Sequence, residues 1–208
     1  MVQAGAVREI RGRSRSQTIA GVGLFAALAL VLNIAHIQLQ APYLSFLIYE
    51  FWEIPIVVCL FIFGFYASLA ASAINAIVLI LVNPGALSLG PLYNLIAVVV
   101  TLLAILGGHK LSTRAKFRIP IEVAVATALA MLVRVVVMSY VNYVLLPFPP
   151  PLGFSTPDTY VVTILPLIAF FNATLVLYTV PLGYAGVRAP GQRLHFKLAY
   201  PLFSSNLK

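Results

Sequence analysis

Apolar runs of membrane-spanning length recur along this chain, and they constrain its fold more than any other feature. The first covers 18–35, and five others follow it before a basic C-terminal segment. A run of roughly 18 apolar residues crosses the hydrocarbon core of a bilayer as a helix. Backbone amides in lipid must be satisfied within the segment, and the period-two alternation of a membrane barrel is absent. The sequence therefore predicts an all-α, polytopic integral membrane protein with six transmembrane helices.

The composition excludes a water-soluble domain. Hydrophobic residues make up 62% of the 208 residues and charged residues only 9%, whereas a soluble domain carries about a quarter of charged residues. The single cysteine, Cys59, lies in an apolar run. One cysteine cannot form an internal disulfide, so we expect Cys59 to be a small core residue.

Proline, glycine and polar clusters divide the chain into six predicted helices. Asn83-Pro84-Gly85 separates the third helix from the fourth, and Gly107-Gly108 is expected to end the fourth. Pro166 and Pro181 are expected to bend the sixth. The predicted helices cover, in order, 18–35, 47–63, 67–82, 92–106, 121–146 and 160–186.

Basic residues decide the predicted orientation. Of the thirteen lysines and arginines, twelve fall in the N-terminal tail at 1–17, in the segment between the fourth and fifth helices, or in the C-terminal tail at 188–208. Six crossings place these three segments on one side, and cytoplasmic segments carry the excess of lysine and arginine. We therefore predict a membrane domain over 18–187 with both termini in the cytoplasm. The same bias accounts for the net charge of +8 without a nucleic-acid partner.

Most polar side chains lie toward the outer ends of the predicted helices, whereas the inner halves are mostly Val, Leu, Ile and Ala. They are Asn33, His36, Gln38, Gln40, Tyr49, Glu50, Trp52, Glu53, Tyr93, Asn94, Tyr140, Asn142, Tyr143 and Asn172. Polar groups cost free energy in hydrocarbon unless they face protein or a watery cavity, so their shared depth indicates one pocket open to the outside. Interleaved tyrosines and a tryptophan suit a planar aromatic ligand that also forms hydrogen bonds.

These polar residues can also have structural roles that do not involve a ligand. Tyrosine and tryptophan are common in the interfacial belts of membrane proteins, and a belt is the favoured interpretation for any one aromatic here. Asparagine is often used to join helices. Taken jointly, Asn94, Asn142 and Asn172 favour a binding site, whereas Asn75 favours helix packing.

Arg134 is the one basic residue away from the predicted cytoplasmic face, near the middle of the fifth helix. An arginine inside the membrane is by default a functional hypothesis. It can pair with Glu53 or line the pocket floor. Equally, it can bend toward the inner interface or tie two helices together, and the sequence does not choose between these alternatives.

Small residues recur at spacings of three and four along the first helix, at Gly23, Ala26, Ala27 and Ala29. A face of small residues lets another helix approach closely. Gly23, Ala26 and Ala27 are therefore candidates for docking a separate membrane subunit. Packing within the six-helix bundle is the alternative.

Motifs for catalysis are missing from the sequence. It contains no G-x-x-x-x-G-K-[ST] nucleotide loop, no H-E-x-x-H or G-x-S-x-G motif and no Cys/His metal cluster. Of the five acidic residues, only Glu50 and Glu53 lie near the expected pocket. The sequence therefore predicts a binding protein rather than an enzyme, with no cofactor and no metal.

Six short motifs occur in order along the chain. They are Ala26-Ala27-Leu28-Ala29 followed by Asn33, FLIYEFWEIP at 46–55, Gly64 at a short turn, GPLYN at 90–94, NYVLLP at 142–147, and Pro166 followed by FFN at 170–172. Together they resemble the S components of energy-coupling factor (ECF) vitamin importers, and the riboflavin-specific branch most closely. In that branch the second motif is F-L-x-x-D-x-x-D-I-P, so both aspartates are glutamates here. The resemblance covers about 18–187.

The resemblance implies an all-helical subunit that captures a vitamin from outside and docks onto a transmembrane coupling subunit through small residues of its first helix. Two ATPase subunits would then drive its reorientation in the bilayer. By position, Asn142 and Asn172 match asparagines that contact the vitamin. Three residues after Asn172 the branch has a lysine that helps to hold the ligand, where this chain has Leu175. Arg134 is a candidate to supply a charge instead.

The predicted function is the capture of a vitamin, with riboflavin or a related flavin favoured, by a multi-pass protein of the cell membrane. The predicted site comprises Asn142, Asn172, Asn94, Tyr143, Glu53, Tyr49, Trp52 and Arg134. The nearest alternative is the same scaffold with another vitamin or vitamin-like ligand. A self-sufficient secondary transporter, a small membrane enzyme and a structural assembly subunit are further alternatives.

Overall fold

The structure, a computed structural model, describes residues 14–35, 38–82, 89–194 and 198–200, with side chains described up to 188 and again from 198. The described residues form six helices and one short hairpin, in the order α1 (Arg15–Ile34), β1 (Gln38–Gln40), β2 (Ile48–Glu50), α2 (Glu53–Phe63), α3 (Phe65–Val82), α4 (Gly90–Arg114), α5 (Ile119–Leu145) and α6 (Asp158–Leu194). Five of the helices, all except α2, are long and apolar enough to cross a membrane. The helical, polytopic architecture is confirmed, whereas six crossings and the side of the termini stay predictions.

Several sequence predictions fall outside the described residues. They concern the arginines at 8, 11 and 13, His36, the Asn83-Pro84-Gly85 breaker, and most of the C-terminal tail.

At the N-terminus of α1, the helix begins three residues before the predicted start because Ser14 and Gln17 form a capping box. The Ser14 hydroxyl accepts from the Gln17 amide at 3.2 Å, and the Gln17 side chain accepts from the Ser14 amide at 3.1 Å.

The predicted second helix over 47–63 is wrong in its first third. Residues 48–50 form strand β2, which pairs antiparallel with β1 so that Leu39 lies opposite Tyr49, and α2 begins only at Glu53. Pro55 explains this start. A helix beginning at 47 would hold Pro55 in its interior at a cost of about 3 kcal/mol, whereas in the first turn its missing amide hydrogen costs nothing. At 11 residues, α2 is roughly 16 Å long, too short to cross the bilayer alone.

The expectation that Gly107-Gly108 ends the fourth helix is also wrong, because α4 continues to Arg114. A Cβ atom on Gly108 would lie only 2.6 Å from the Ala126 Cα atom of α5. The glycines therefore permit a close approach of α4 and α5 instead of breaking the helix. Next to this contact, His109 Nδ1 lies 2.8 Å from Glu122 Oε1, and both side chains are buried. Helix α6 continues through Pro166 and Pro181, and the bend expected at these prolines stays a prediction.

Helix α2 is the centre of the bundle. Seven of its residues are buried, and it contacts α1, α3, α4 and α6. A second cluster of buried apolar residues joins the hairpin segment to α6, from Ala41 and Leu44 to Ile168 and Leu175. The outward faces of the longer helices carry exposed apolar side chains such as Leu24, Leu81 and Leu132, as expected for surfaces that contact lipid.

Candidate ligand-binding cavity

A cavity of about 500 Å³ lies at the hairpin end of the bundle, bounded by the hairpin and by α1, α3, α4, α5 and α6. Its volume is within the range of sites for small molecules and cofactors. The wall combines amide, charged and aromatic side chains from separate parts of the sequence. The cavity therefore exists only once the whole bundle has assembled.

Four asparagines, one from each of four helices, line this cavity: Asn33, Asn94, Asn142 and Asn172. The amide nitrogen of Asn142 donates to the carbonyl of Met138 at 2.7 Å, so the amide oxygen is left to face other groups. The structure thus brings Asn94, Asn142 and Asn172 to one cavity, as the sequence analysis expected. Their contact with a ligand stays a prediction.

Asn33 was not among the predicted site residues, although it lies on the cavity wall. Its amide nitrogen donates to Asn75 Oδ1 at 2.9 Å, which gives Asn75 the packing role expected for it. The Asn33 side-chain oxygen is buried and has no hydrogen-bond partner among the described residues. A buried acceptor of this kind costs free energy unless a ligand or water satisfies it.

Arg134 lies under the cavity in a buried ion pair. Its Nη1 and Nη2 atoms donate to the two Glu53 carboxylate oxygens at 2.6 and 2.8 Å, in the bidentate geometry that suits a guanidinium. Its Nε donates to Asn172 Oδ1 at 3.0 Å, and Nη1 also donates to the Thr101 hydroxyl at 3.3 Å. Two of the sequence alternatives are therefore realised together, because Arg134 pairs with Glu53 and also lines the cavity. Glu53 pairs with Arg134 but does not itself line the cavity.

Glu50 is half-buried on the cavity wall, in strand β2 outside the spanning helices. Its Oε2 accepts a hydrogen bond from Trp52 Nε1 at 2.8 Å, and its backbone carbonyl accepts from the Tyr178 hydroxyl at 2.7 Å. Burial raises the pKa of the Glu50 carboxyl to about 7; the Trp52 hydrogen bond lowers this pKa and the nearby negative charge of Glu53 raises it. The sequence analysis placed Glu50 near the pocket but did not include it in the site.

Besides Glu53, three more of the eight predicted site residues do not line the cavity. Tyr143 is 49% exposed on the outside of α5, where the belt alternative fits it. Trp52 is buried, and its Nε1 atom donates to Glu50 on the cavity wall. The Tyr49 hydroxyl bonds to Thr174 Oγ1 at 2.8 Å, and its ring packs on Phe171 with 4.8 Å between centroids.

Aromatic rings form the apolar part of the wall. Phe46, Phe154 and Phe171 line it, and the Phe46 and Phe154 rings lie 5.6 Å apart between centroids. Tyr93 also lines it and donates from its hydroxyl to the carbonyl of Leu152. Phe46 and Phe171 fall within the motifs that carry the family resemblance. No sequence signal marks Phe154, which lies in the proline-rich connection between α5 and α6.

The three candidate docking residues of α1 do not share one face. Gly23 and Ala27 are exposed, and among the described residues, the nearby backbone of α1 aside, no atom lies within 4 Å of a Cβ placed on Gly23. Ala26 is 2% exposed and packs in the core with Ala29. A residue one position away on a helix points about 100° away, so Ala26 belongs to the inward face. The small-residue face open to another helix is therefore formed by Gly23 and Ala27.

The fold and the cavity together indicate the class of protein to which this chain is similar. Five spanning-length apolar helices surround a polar cavity, and the chain is a multi-pass membrane protein. Among solved structures, the fold is similar to that of the S component of a bacterial ECF transporter, with a TM-score of 0.69 and 21% sequence identity; the match covers 87% of this chain and 99% of the other. No family model matches the sequence. No curated protein matches it either.

Proposed function

We propose that this protein is the substrate-capture subunit of an ATP-driven vitamin importer, an S component of an ECF transporter in the cell membrane. The observation that carries the proposal is an S-component fold that encloses a cavity of about 500 Å³ lined by amides from four helices. The proposed arrangement has six crossings, with the cavity facing outward and both termini in the cytoplasm. In this role the protein binds and reorients, and it is not an enzyme.

Riboflavin or a related flavin is the favoured ligand. Flavins combine a planar ring with several hydrogen-bonding groups, and the cavity combines aromatic rings with amides. The sequence motifs that resemble the riboflavin branch contribute Phe46, Asn94, Asn142 and Asn172 to the wall. Leu175 takes the position of the branch's lysine, but it is buried in the cluster that joins the hairpin to α6. The ligand is therefore held without that charge.

Partner subunits supply the energy in this proposal. The sequence has no nucleotide loop of its own, so two ATPase subunits would hydrolyse ATP and drive the reorientation of this chain, which docks on a transmembrane coupling subunit. Gly23 and Ala27 give α1 an exposed small-residue face on which a helix of the coupling subunit can pack. Uptake of riboflavin into liposomes that contain this chain alone would instead favour a self-sufficient transporter.

The test is a riboflavin titration of the purified protein, read by quenching of flavin fluorescence and preceded by an absorption spectrum to detect a co-purified flavin. We expect saturable binding at one site per chain. Asn142→Leu should weaken binding by about 1–3 kcal/mol, or roughly 5- to 150-fold, because a buried hydrogen bond loses one partner. No quenching by the wild-type protein would discard riboflavin. Unchanged affinity in Asn142→Leu would remove Asn142 from the site.

A further inference from the structure

Acidic side chains outnumber basic ones at and beside the cavity. Arg134 is the cation that lines it, and four of its five N–H groups donate to Glu53, Asn172 and Thr101. Its charge is balanced by Glu53 in a bidentate pair. No lysine or arginine in the described parts of the chain forms a salt bridge with Glu50. When Glu50 is ionised, the three groups therefore carry a net negative charge beside the ligand.

Three side-chain oxygens at the cavity are free acceptors, and the amides of Gln38 and Asn94, which form no side-chain hydrogen bond among the described residues, can both donate and accept. The buried Asn33 Oδ1 has no partner among the described residues. Glu50 uses one carboxylate oxygen for Trp52, and Asn142 uses its amide nitrogen for Met138, so each keeps one oxygen for a ligand. Asn172 has its oxygen occupied by Arg134 and its nitrogen bonded to Ile168 at 2.9 Å. A complementary ligand must therefore supply N–H or O–H donors.

We infer that this cavity takes a planar ligand that is uncharged or cationic and rich in N–H and O–H donors. It rejects phosphorylated or carboxylated ligands, and Glu50 is the residue that sets this preference. The inference rests on the proposed function, because it assumes that this cavity captures the substrate. An anionic group near Glu50 meets a like charge in a site where water is partly excluded, and the one cation nearby is already paired. The aromatic walls accept the faces of a ring without adding charge.

The experiment compares matched pairs that differ only in a phosphate group: riboflavin and flavin mononucleotide, thiamine and thiamine monophosphate, and pyridoxine and pyridoxine phosphate. Each compound is first tested for thermal stabilisation of the full-length purified protein, and the dissociation constant is then measured for those that stabilise it. The pairs are repeated with Glu50→Gln, which keeps an acceptor for Trp52 but removes the charge. Glu122→Gln is the matched control, because Glu122 is buried beside His109 and does not line the cavity.

We expect the unphosphorylated member of the binding pair to bind at least about tenfold more tightly than its phosphate. Glu50→Gln should reduce this ratio severalfold, chiefly by strengthening binding of the phosphate, and Glu122→Gln should leave the ratio unchanged. A phosphate that binds as tightly as its parent, or a ratio that Glu50→Gln does not change, would overturn the inference while leaving vitamin capture intact.

The two proposals fail in different ways. If riboflavin does not bind but thiamine or pyridoxine binds in preference to its phosphate, the favoured ligand is wrong and the charge preference is supported. If riboflavin and flavin mononucleotide bind equally, capture of a flavin is supported and the charge preference is wrong. Stabilisation by none of the six compounds would count against both proposals.

Discussion

The ion pair between Arg134 and Glu53 allows the sharpest prediction about stability. Both side chains are almost fully buried, at 2% and 4% exposure, and the guanidinium contacts both carboxylate oxygens. We compare three variants: Arg134→Met, Glu53→Leu and the two substitutions together. Each single substitution leaves one buried charge without its counter-ion, whereas the double substitution leaves none.

The expected magnitudes follow from this difference. Removing one partner of a buried pair costs about 3–5 kcal/mol, while replacing both by apolar side chains of similar volume is often close to neutral. For a chain of 150–250 residues, a loss of 1 kcal/mol lowers the unfolding midpoint by about 2–4 °C, so each single variant should unfold about 6–20 °C below the wild type. The double variant should lie above both single variants, because it leaves no buried charge without a counter-ion, so the two effects are not additive.

The assay is thermal unfolding in detergent with a thiol-reactive dye. Cys59 is the only cysteine of the chain, and it is fully buried in α2, so reaction of its thiol reports loss of the fold. Thr101→Val is the control, since it removes the long 3.3 Å hydrogen bond from Arg134 and the 2.7 Å hydrogen bond to the carbonyl of Ala97 but leaves the ion pair in place, and it should change the midpoint far less. A double variant that loses the sum of the two single effects would show that the pair is not coupled, and the assignment of Arg134 to a stabilising pair would then be wrong.

Further predictions concern packing, the exposed aromatic and pH. Gly108→Val should lower the unfolding midpoint by the equivalent of about 1–3 kcal/mol because its Cβ would lie 2.6 Å from Ala126 Cα; Gly107→Ala, measured by the same dye assay, should cost much less, and equal losses would contradict the close approach of the helices. Tyr143→Ala should leave the dissociation constant for the ligand within about twofold, since Tyr143 is exposed and does not line the cavity, and surface substitutions away from such features are nearly neutral; a larger loss in the titration would return Tyr143 to the site. Because burial raises the Glu50 pKa from 4.5 to about 7, its carboxylate forms as pH rises through 7, and the preference for the unphosphorylated ligand should grow between pH 6 and 8.5. Glu50→Gln, which keeps only the titration of the phosphate itself, should show less growth, and equal growth would exclude Glu50 as the cause.

The helices were largely predictable because their signal is local. Runs of apolar residues have to become helices in lipid, and the predicted bounds of α3 and α5 lie within two residues of those in the structure. The failures came from contacts that are distant in sequence. Gly107-Gly108 looks like a helix end until Ala126 of α5 is placed against it. The local rule for glycine carries no information about that neighbour.

The sequence indicated how deep in the membrane the candidate site residues lie, but not which face of each helix carries them. Asn142 is buried at the cavity and the next residue, Tyr143, faces outward, yet both have the same depth in the sequence. Helices that are apolar all round give little indication of which face is buried, so periodicity could not separate these two neighbours. For the same reason Ala26 and Ala27 were assigned together although they face in different directions. The partner of Arg134, 81 residues away in Glu53, was one of several alternatives until the bundle was assembled.

Three independent features of the molecule bear on the charge of its ligand. Leu175 occupies the position at which the riboflavin branch that the motifs resemble has a lysine, Arg134 is bound to both oxygens of Glu53, and Glu50 has no basic partner among the described residues. Each feature lowers the positive potential at the cavity. Phosphate and carboxylate groups are held by unpaired arginine or lysine side chains or by helix N-termini. Among the described residues the cavity wall has no unpaired arginine or lysine, and Glu50 lies on the same wall as the N-terminus of α4. A neutral or cationic ligand that carries N–H or O–H donors therefore fits the cavity better than an anion. Arg134 cannot supply the charge of the branch's lysine, because its guanidinium is already neutralised by Glu53.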